Sequence, residues 1–348
     1  MKTGLVYDPA YLNHDTGRFP EKADRVSYSY SVLADAGMLE RVVDIKPRPA
    51  TVEEIGLVHQ QEYIDRIRDF SDHGGGVLAY DSAGSGATFD TALLSAGGVL
   101  TALDAVMDKK IETAFALVRP PGHHALPGKS MGFCFFNNVA ICARYAAKKY
   151  GLDRILIVDW DEHHGNGIED VFYAEDSVLY FSVHRYGSFP DTGSARLVGE
   201  GRGEGYNINV PLPRKSNDDD YEYVFQRILL PVADAYKPEL VLVAAGMDAH
   251  VRDPIGQMKM SGSGYGRLAA AVVEIAGRHC DGSTIFVLEG GYNARAVAES
   301  VLAVVNTLVD WDIKKVCPAS QDPAPARRAV RKVVDGVKQV HRRFWPFL

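Results

Sequence analysis

Asp159, Asp161, His163 and His164 fall within Ile155–Gly167, where an apolar run ends in a burst of potential metal ligands. A parallel strand meets an active-site edge in this way: its apolar stretch is buried in the sheet and polar residues emerge at its carboxyl end. Side chains alternate across a strand, so Asp159, Asp161 and His163 are expected on one side. Two carboxylates and an imidazole suit a divalent ion of hard-to-borderline character, zinc first among candidates. Taken alone, an Asp-x-Asp reads as a strand-ending turn that caps the next helix. Three further clusters change that reading.

Ala114–Val118 runs into Arg119-Pro-Pro-Gly-His-His-Ala125. Adjacent residues on extended backbone face opposite ways, so a paired role for His123 and His124 requires the bend that the prolines and Gly122 can supply. Leu240–Ala244 leads into Gly246-Met-Asp-Ala-His250, which puts Asp248 at another strand exit. Thr284–Leu288 leads into Glu289-Gly-Gly-Tyr-Asn293, where glycines allow close backbone approach and Tyr292 presents a phenol. Each loaded cluster therefore follows its own apolar strand.

The elements that must position these residues read as alternating strands and helices. Further strands are expected at Gly4–Tyr7, Val178–His184 and Tyr206–Val210, with helices near 21–37, 87–108, 137–150, 219–236, 262–279 and 293–309. The order predicts an α/β fold, a mostly parallel sheet with helices on both faces. Asn217-Asp-Asp-Asp220 reads as a helix start, its acidic side chains capping orphan amides. Residues 1–317 are expected to form one domain, followed by a Pro/Ala break at 318–325. In the basic segment 326–348, Val330, Val333, Val334, Val337, Val340 and Phe344 recur at helical spacing, which predicts a helix packed back on the body.

The chain has 348 residues, 46% hydrophobic and 24% charged, with a formal net charge of −7, so it can bury a large core and is a poor candidate for binding nucleic acid directly. Cys134, Cys142, Cys280 and Cys317 form no close-spaced pair and read as reduced thiols. The N-terminus reads as a first strand, and no apolar stretch is expected to cross a membrane. These features together predict a cytoplasmic protein. Met131, Met258 and Met260 read as packing residues.

The residues resemble the histone deacetylase family, in its class II and bacterial branch that includes acetylpolyamine amidohydrolases. The resemblance is carried by Arg119–Ala125, Met131-Gly-Phe-Cys-Phe-Phe-Asn-Asn138, Asp159-Trp-Asp-Glu-His-His-Gly-Asn-Gly167 and Leu288–Asn293. It implies the arginase–deacetylase fold around an eight-stranded sheet, of which seven strands are legible here. It further implies zinc held by Asp161, His163 and Asp248, an open ligand set of the catalytic kind. His123 and His124 become the tandem catalytic pair, with Asp159 behind the first and Asn166 behind the second, and Tyr292 the assisting phenol. Gly132, Phe133 and Phe189 match the walls of an acyl-lysine tunnel. Asp159 and Ser182, with main-chain oxygens of Asp161, His163 and Val183, match a potassium site, and main-chain oxygens near Phe172 and Val178, beside Tyr206, a second one.

The expected activity is zinc-dependent hydrolysis of an N-acetylated amine, acetyl-lysine or a small acetylated amine, to acetate and free amine. Acetylpolyamine hydrolysis is the alternative specific activity. It would favour a carboxylate at the tunnel mouth, where this chain has Ile255; Asp81 and Ser82 are candidate rim residues. A two-manganese, arginase-like ureohydrolase is a more remote alternative, because Asp248-Ala-His250 lacks the further Asp that chemistry needs and has Arg252 in its place. A silent acyl-lysine reader is the third, opposed by retention of every ligand and of Tyr292. His250 reads as a rim or metal-tuning residue or, at least as readily, a solvent-facing loop histidine. Glu162 is expected to face away from the metal. A homo-oligomer is compatible with all of this.

Overall fold

The structure, a computed structural model, describes residues 2–310 and 326–348. Its strands are β1 (Thr3–Val6), β2 (Val43–Ile45), β3 (Gly75–Ala79), β4 (Ser82–Ser85), β5 (Thr113–Ala116), β6 (Ile155–Asp159), β7 (Val178–Arg185), β8 (Asn207–Leu212), β9 (Leu240–Ala245) and β10 (Thr284–Leu288). Eight of them form one sheet in the order β2-β1-β5-β10-β9-β6-β7-β8, and β3 pairs with β4 in a separate antiparallel ribbon. Every pairing in the large sheet is parallel. All residues of β6, β7, β9 and β10 are buried, the continuous apolar pattern of strands covered on both faces.

The helices are α1 (Asp24–Asp35), α2 (Val52–Ile55), α3 (Gln61–Asp72), α4 (Thr88–Met107), α5 (Asn138–Tyr150), α6 (Asn166–Phe172), α7 (Asp218–Val224), α8 (Leu230–Tyr236), α9 (Gly262–His279), α10 (Ala294–Asp310) and α11 (Arg328–His341). One layer over the sheet is built on α4 and α5 and another on α1, α9 and α10. By length and apolarity α4 would suffice to cross a membrane, contrary to the expectation from sequence. Its apolar residues instead pack on α5 and the central strands, and Phe89, Val99, Leu100, Leu103 and Val106 are buried there.

The helix expected at 219–236 is broken into α7, a π-helical turn at Phe225–Leu229, and α8. Pro231, just inside α8, has no N–H to continue the ladder. Asn217 and Asp220 form the reciprocal cap at the start of α7 that the sequence predicts.

The expected break at 318–325 and Cys317 lie outside the described residues. Beyond it α11 buries Val330, Val334 and Val337 against β8, an edge strand of the sheet. Arg327 pairs with Asp220 at 2.6 Å, and the Trp345 indole donates to the Gly205 carbonyl at 2.9 Å. Cys134, Cys142 and Cys280 are free thiols.

Candidate active site

β5, β10, β9 and β6 are consecutive in the sheet, so the loops at their carboxyl ends deliver all four sequence clusters to one place. Asp161, His163 and Asp248 each offer a ligand atom within 4.8 Å of the others, and all three are buried. His163 Nδ1 lies 2.8 Å from Asp248 Oδ2 and 3.2 Å from Asp161 Oδ1. Main-chain amides hold the carboxylates in place: Gly290 donates to Asp161 Oδ2 at 2.9 Å and Glu162 to Asp248 Oδ1 at 2.8 Å. A Cβ on Gly246 would stand 2.0 Å from Asp161 Oδ2, and one on Gly290 would stand 2.5 Å from both Asp161 and Asp248, so these turns require glycine.

The electrostatics of this trio suit a cation. Burial would lower the His163 imidazole, but Asp248 and Asp161 outweigh it and hold the ring well above its usual value. Burial would raise Asp161, yet His123 and His163 pull it below the ordinary carboxylate range; burial and the neighbouring Asp161 push Asp248 well above it. Two buried carboxylates that cannot share a site as anions would both ionise readily around a divalent ion. The donor set therefore fits a metal.

His123 and His124 lie beside the trio with ring centroids 3.9 Å apart. The bend they need is fixed by Glu289, whose Oε2 accepts the amides of Gly122 at 2.7 Å and His123 at 3.1 Å. Burial pushes the Glu289 carboxyl up to about 7. The His123 ring bonds to Asp159 Oδ2 at 3.1 Å through Nδ1, and His124 Nδ1 bonds to Asn166 Oδ1 at 2.8 Å. The two imidazoles sit in different electrostatic surroundings. Burial opposes a charge on His123, but Asp161 and Asp159 raise it to about 10. Burial, and then the adjacent His123, hold His124 well below its usual value.

A cavity of about 160 Å³ opens onto this site, lined by Asp81, His124, Gly132, Phe133, His163, Phe189, Ile255 and Tyr292. Phe133 has a left-handed backbone with φ of 66°, and Asp81 holds the turn: its Oδ2 accepts the Gly132 amide at 2.9 Å and its carbonyl the Phe133 amide at 3.2 Å. The Phe133 and Tyr292 rings lie 5.5 Å apart, edge to face, and those of Phe189 and His124 5.1 Å. Asp253 Oδ2 accepts the Tyr292 amide at 2.6 Å, while its Oδ1 accepts the Ile255 and Gly256 amides, both at 2.9 Å.

Not every candidate residue reaches this cavity. Ser82, expected at the rim, is fully buried and donates to Asp81 Oδ1 at 3.2 Å instead. His250 neither faces solvent nor joins the trio: it is 2% exposed and its Nδ1 accepts the Arg252 amide at 3.1 Å. Ser182 stands opposite Asp159 in the β6–β7 register and its hydroxyl bonds to His184 Nδ1 at 2.9 Å, with Val183 buried beside it. Met258 and Met260 pack in the core, and Met131 Sδ accepts from Asn166 at 3.5 Å.

Other supports escape a reading of the sequence. The Tyr180 hydroxyl donates to Asp159 Oδ2 at 2.9 Å. Beneath Tyr292, Glu21 pairs with Arg25 at 2.6 Å and Arg119 at 2.8 Å, all fully or almost fully buried. Arg25 also donates to the carbonyls of Glu289 and Gly291 and lies 5.3 Å from the Tyr292 ring centre. Arg119 opens a conspicuous motif, but nothing local identifies Glu21, far away in the sequence, as its partner.

A family model described as histone deacetylase domain matches residues 19–308. The chain is 36% identical to a probable deacetylase of Archaeoglobus fulgidus over 99% of both chains. It is 39% identical to a histone deacetylase-like amidohydrolase of Pseudomonas aeruginosa over 88% of this chain and 79% of that protein. Among solved structures it is similar to the HDA15 HD domain, with a TM-score of 0.90 and 34% identity over 99% of this chain and 95% of that one.

Proposed function

Because this chain belongs to the histone deacetylase family, with its arginase–deacetylase fold and deacetylase or amidohydrolase activity, we propose that it is a zinc-dependent deacylase that hydrolyses N-acetylated amines. The observation that carries this reading is the Asp161–His163–Asp248 trio beside the His123–His124 pair at a cavity walled by Phe133, Phe189 and Tyr292. When bound by the trio, zinc supplies Lewis acidity that polarises the amide carbonyl and acidifies the attacking water. Asp159 and Ser182, opposite one another across β6 and β7, would hold potassium together with main-chain oxygens of Asp161, His163 and Val183.

Water attack on the acyl carbon requires a base, and His124 is the member of the pair held neutral. His124 takes the water proton, and the Tyr292 hydroxyl donates a hydrogen bond to the oxygen of the tetrahedral intermediate. Collapse of that intermediate breaks the C–N bond. The imidazolium of the pair protonates the departing nitrogen, and acetate and a free amine leave. Phe133 and Phe189 confine the alkyl arm of the substrate between aromatic walls and exclude bulk water.

Acetyl-lysine suits the mouth better than an acetylpolyamine. Among the described residues that line the cavity Asp81 is the one acid, and its oxygens already accept Gly132 N–H and Ser82 O–H; Ile255 adds only apolar surface. A distal ammonium would therefore have to share Asp81 with these two donors. The test is a turnover panel of acetyl-lysine peptides, longer acyl-lysines and acetylpolyamines on zinc-loaded protein, with elemental analysis. One zinc per chain and release of acetate from acetyl-lysine peptides are expected. Two tightly bound manganese ions, or no turnover of any acylated amine, would overturn the reading.

A further inference from the structure

Glu162 stands between two of the metal donors, yet its carboxylate is engaged elsewhere. The side chain is fully buried. Oε1 accepts from Arg185 Nε at 2.6 Å and from the Gln257 amide at 2.8 Å, while Oε2 accepts from the Gln257 amide at 2.8 Å and the Met258 amide at 3.1 Å. The Glu162 carbonyl accepts the Arg185 amide at 2.8 Å. Arg185 in turn donates to the Ser188 hydroxyl.

These partners belong to two separate wall segments. Arg185 and Ser188 lie four and one residues before Phe189, and Gln257 and Met258 two and three residues after Ile255; Phe189 and Ile255 both line the cavity. Both segments are surface loops, with Phe189 41% and Ile255 37% exposed, and such loops are mobile unless something anchors them. Here one carboxylate anchors both. An ionised carboxylate can accept four hydrogen bonds from donors alone, which no amide or apolar side chain at this position could reproduce.

We propose that the Glu162–Arg185 pair is a specificity-determining clamp that fixes the Phe189 wall relative to the Ile255 wall and so restricts the mouth to slender, linear acylated amines. Glu162 is a positioning residue that acts through these two walls. The proposal rests on the reading of this cavity as the acyl-amine entrance. Loss of the clamp removes the tie between the two segments, relaxes contact with a linear alkyl arm and admits an amine that carries a ring close to nitrogen.

Arg185→Met opens the clamp from the side away from the metal donors. On zinc-loaded protein, the ratio of kcat/KM for an acetyl-lysine peptide to that for N-acetylbenzylamine should fall roughly fivefold or more. The fall should come from a raised KM for the peptide, with kcat little changed, and Arg185→Lys should restore part of it. Hydrogen exchange should quicken at residues 186–189 and also at 256–258, a segment distant in sequence that Arg185 meets through the Glu162 carboxylate. Glu162→Gln should give the same paired change and serves as the second variant if Arg185→Met does not fold. An unchanged ratio, or quickened exchange confined to 186–189, would overturn the clamp. Exchange is read without turnover, so a wild-type protein inert toward every acylated amine would overturn the functional reading and leave the clamp to be judged separately.

Discussion

Asn166→Asp tests the division of labour between the tandem histidines. The substitution keeps the shape of the side chain and places a full negative charge where Asn166 Oδ1 now meets His124 Nδ1 at 2.8 Å. With the charge centres about 4 Å apart and an effective dielectric near 20, the attraction is roughly 4 kcal/mol, or at most about three pKa units. Carboxylate–imidazole neighbours usually realise about 1–3 units of such a shift. The sign is fixed: a carboxylate favours the imidazolium, so the His124 pKa rises. The base form then exists only at higher pH, and the acidic limb of kcat/KM moves upward by the same amount. On the acidic limb activity should drop by roughly 10- to 1,000-fold, and the loss should fade as pH rises past the displaced limb. The assay is kcat/KM against pH on an acetyl-lysine peptide, with metal content measured in parallel. An acidic limb displaced by less than about half a unit in a folded, metal-loaded variant would refute His124 as the base.

Other outcomes follow from the same geometry. Tyr292→Phe should keep the ring against Phe133 and lower turnover by roughly 10²–10³ with little change in KM, the scale for one lost oxyanion donor, in steady-state assays. Glu21→Gln leaves two buried guanidiniums without their counter-charge and should cost about 3–5 kcal/mol in urea denaturation. His341 is buried on α11 with no hydrogen-bond partner among the described residues, and burial, followed by Arg343, lowers it to about 4. An unfolded histidine titrates near 6.5, so protonation favours unfolding and stability is lost as pH falls from there towards about 4, by up to about 1.4 kcal/mol per unit. His341→Met should flatten that decline, as measured by denaturation at several pH values.

The strands that carry the chemistry are readable because each is a fully buried run that stops at a polar cluster, and burial on both faces leaves little else such a run could be. β2 is not readable: Val43-Asp-Ile45 is three residues at the sheet edge with its first two exposed, too short for any period. The β3–β4 ribbon is glycine-rich and mostly half-buried, without the alternation that marks a hairpin. α3 left a usable sign, with Tyr63, Ile64, Ile67 and Ser71 buried on one face. In the site itself, motif residues that bear ligand atoms announce themselves. Residues that act through main-chain amides do not: Asp253, Glu289 and Glu162 are ordinary acids in sequence, and only the folded backbone shows what each one grips.

The turns at Gly246 and Gly290 press bare backbone against Asp161, and Gly290 also against Asp248. Any heavier residue there would collide with the donors, so the floor of the pocket has almost no room for amino-acid variation. The entrance is built differently, from side chains on two loops that a single carboxylate keeps in register. An experimenter wishing to retune what this protein accepts should randomise Phe189, Ile255 and their neighbours and leave the glycine-walled base as it stands.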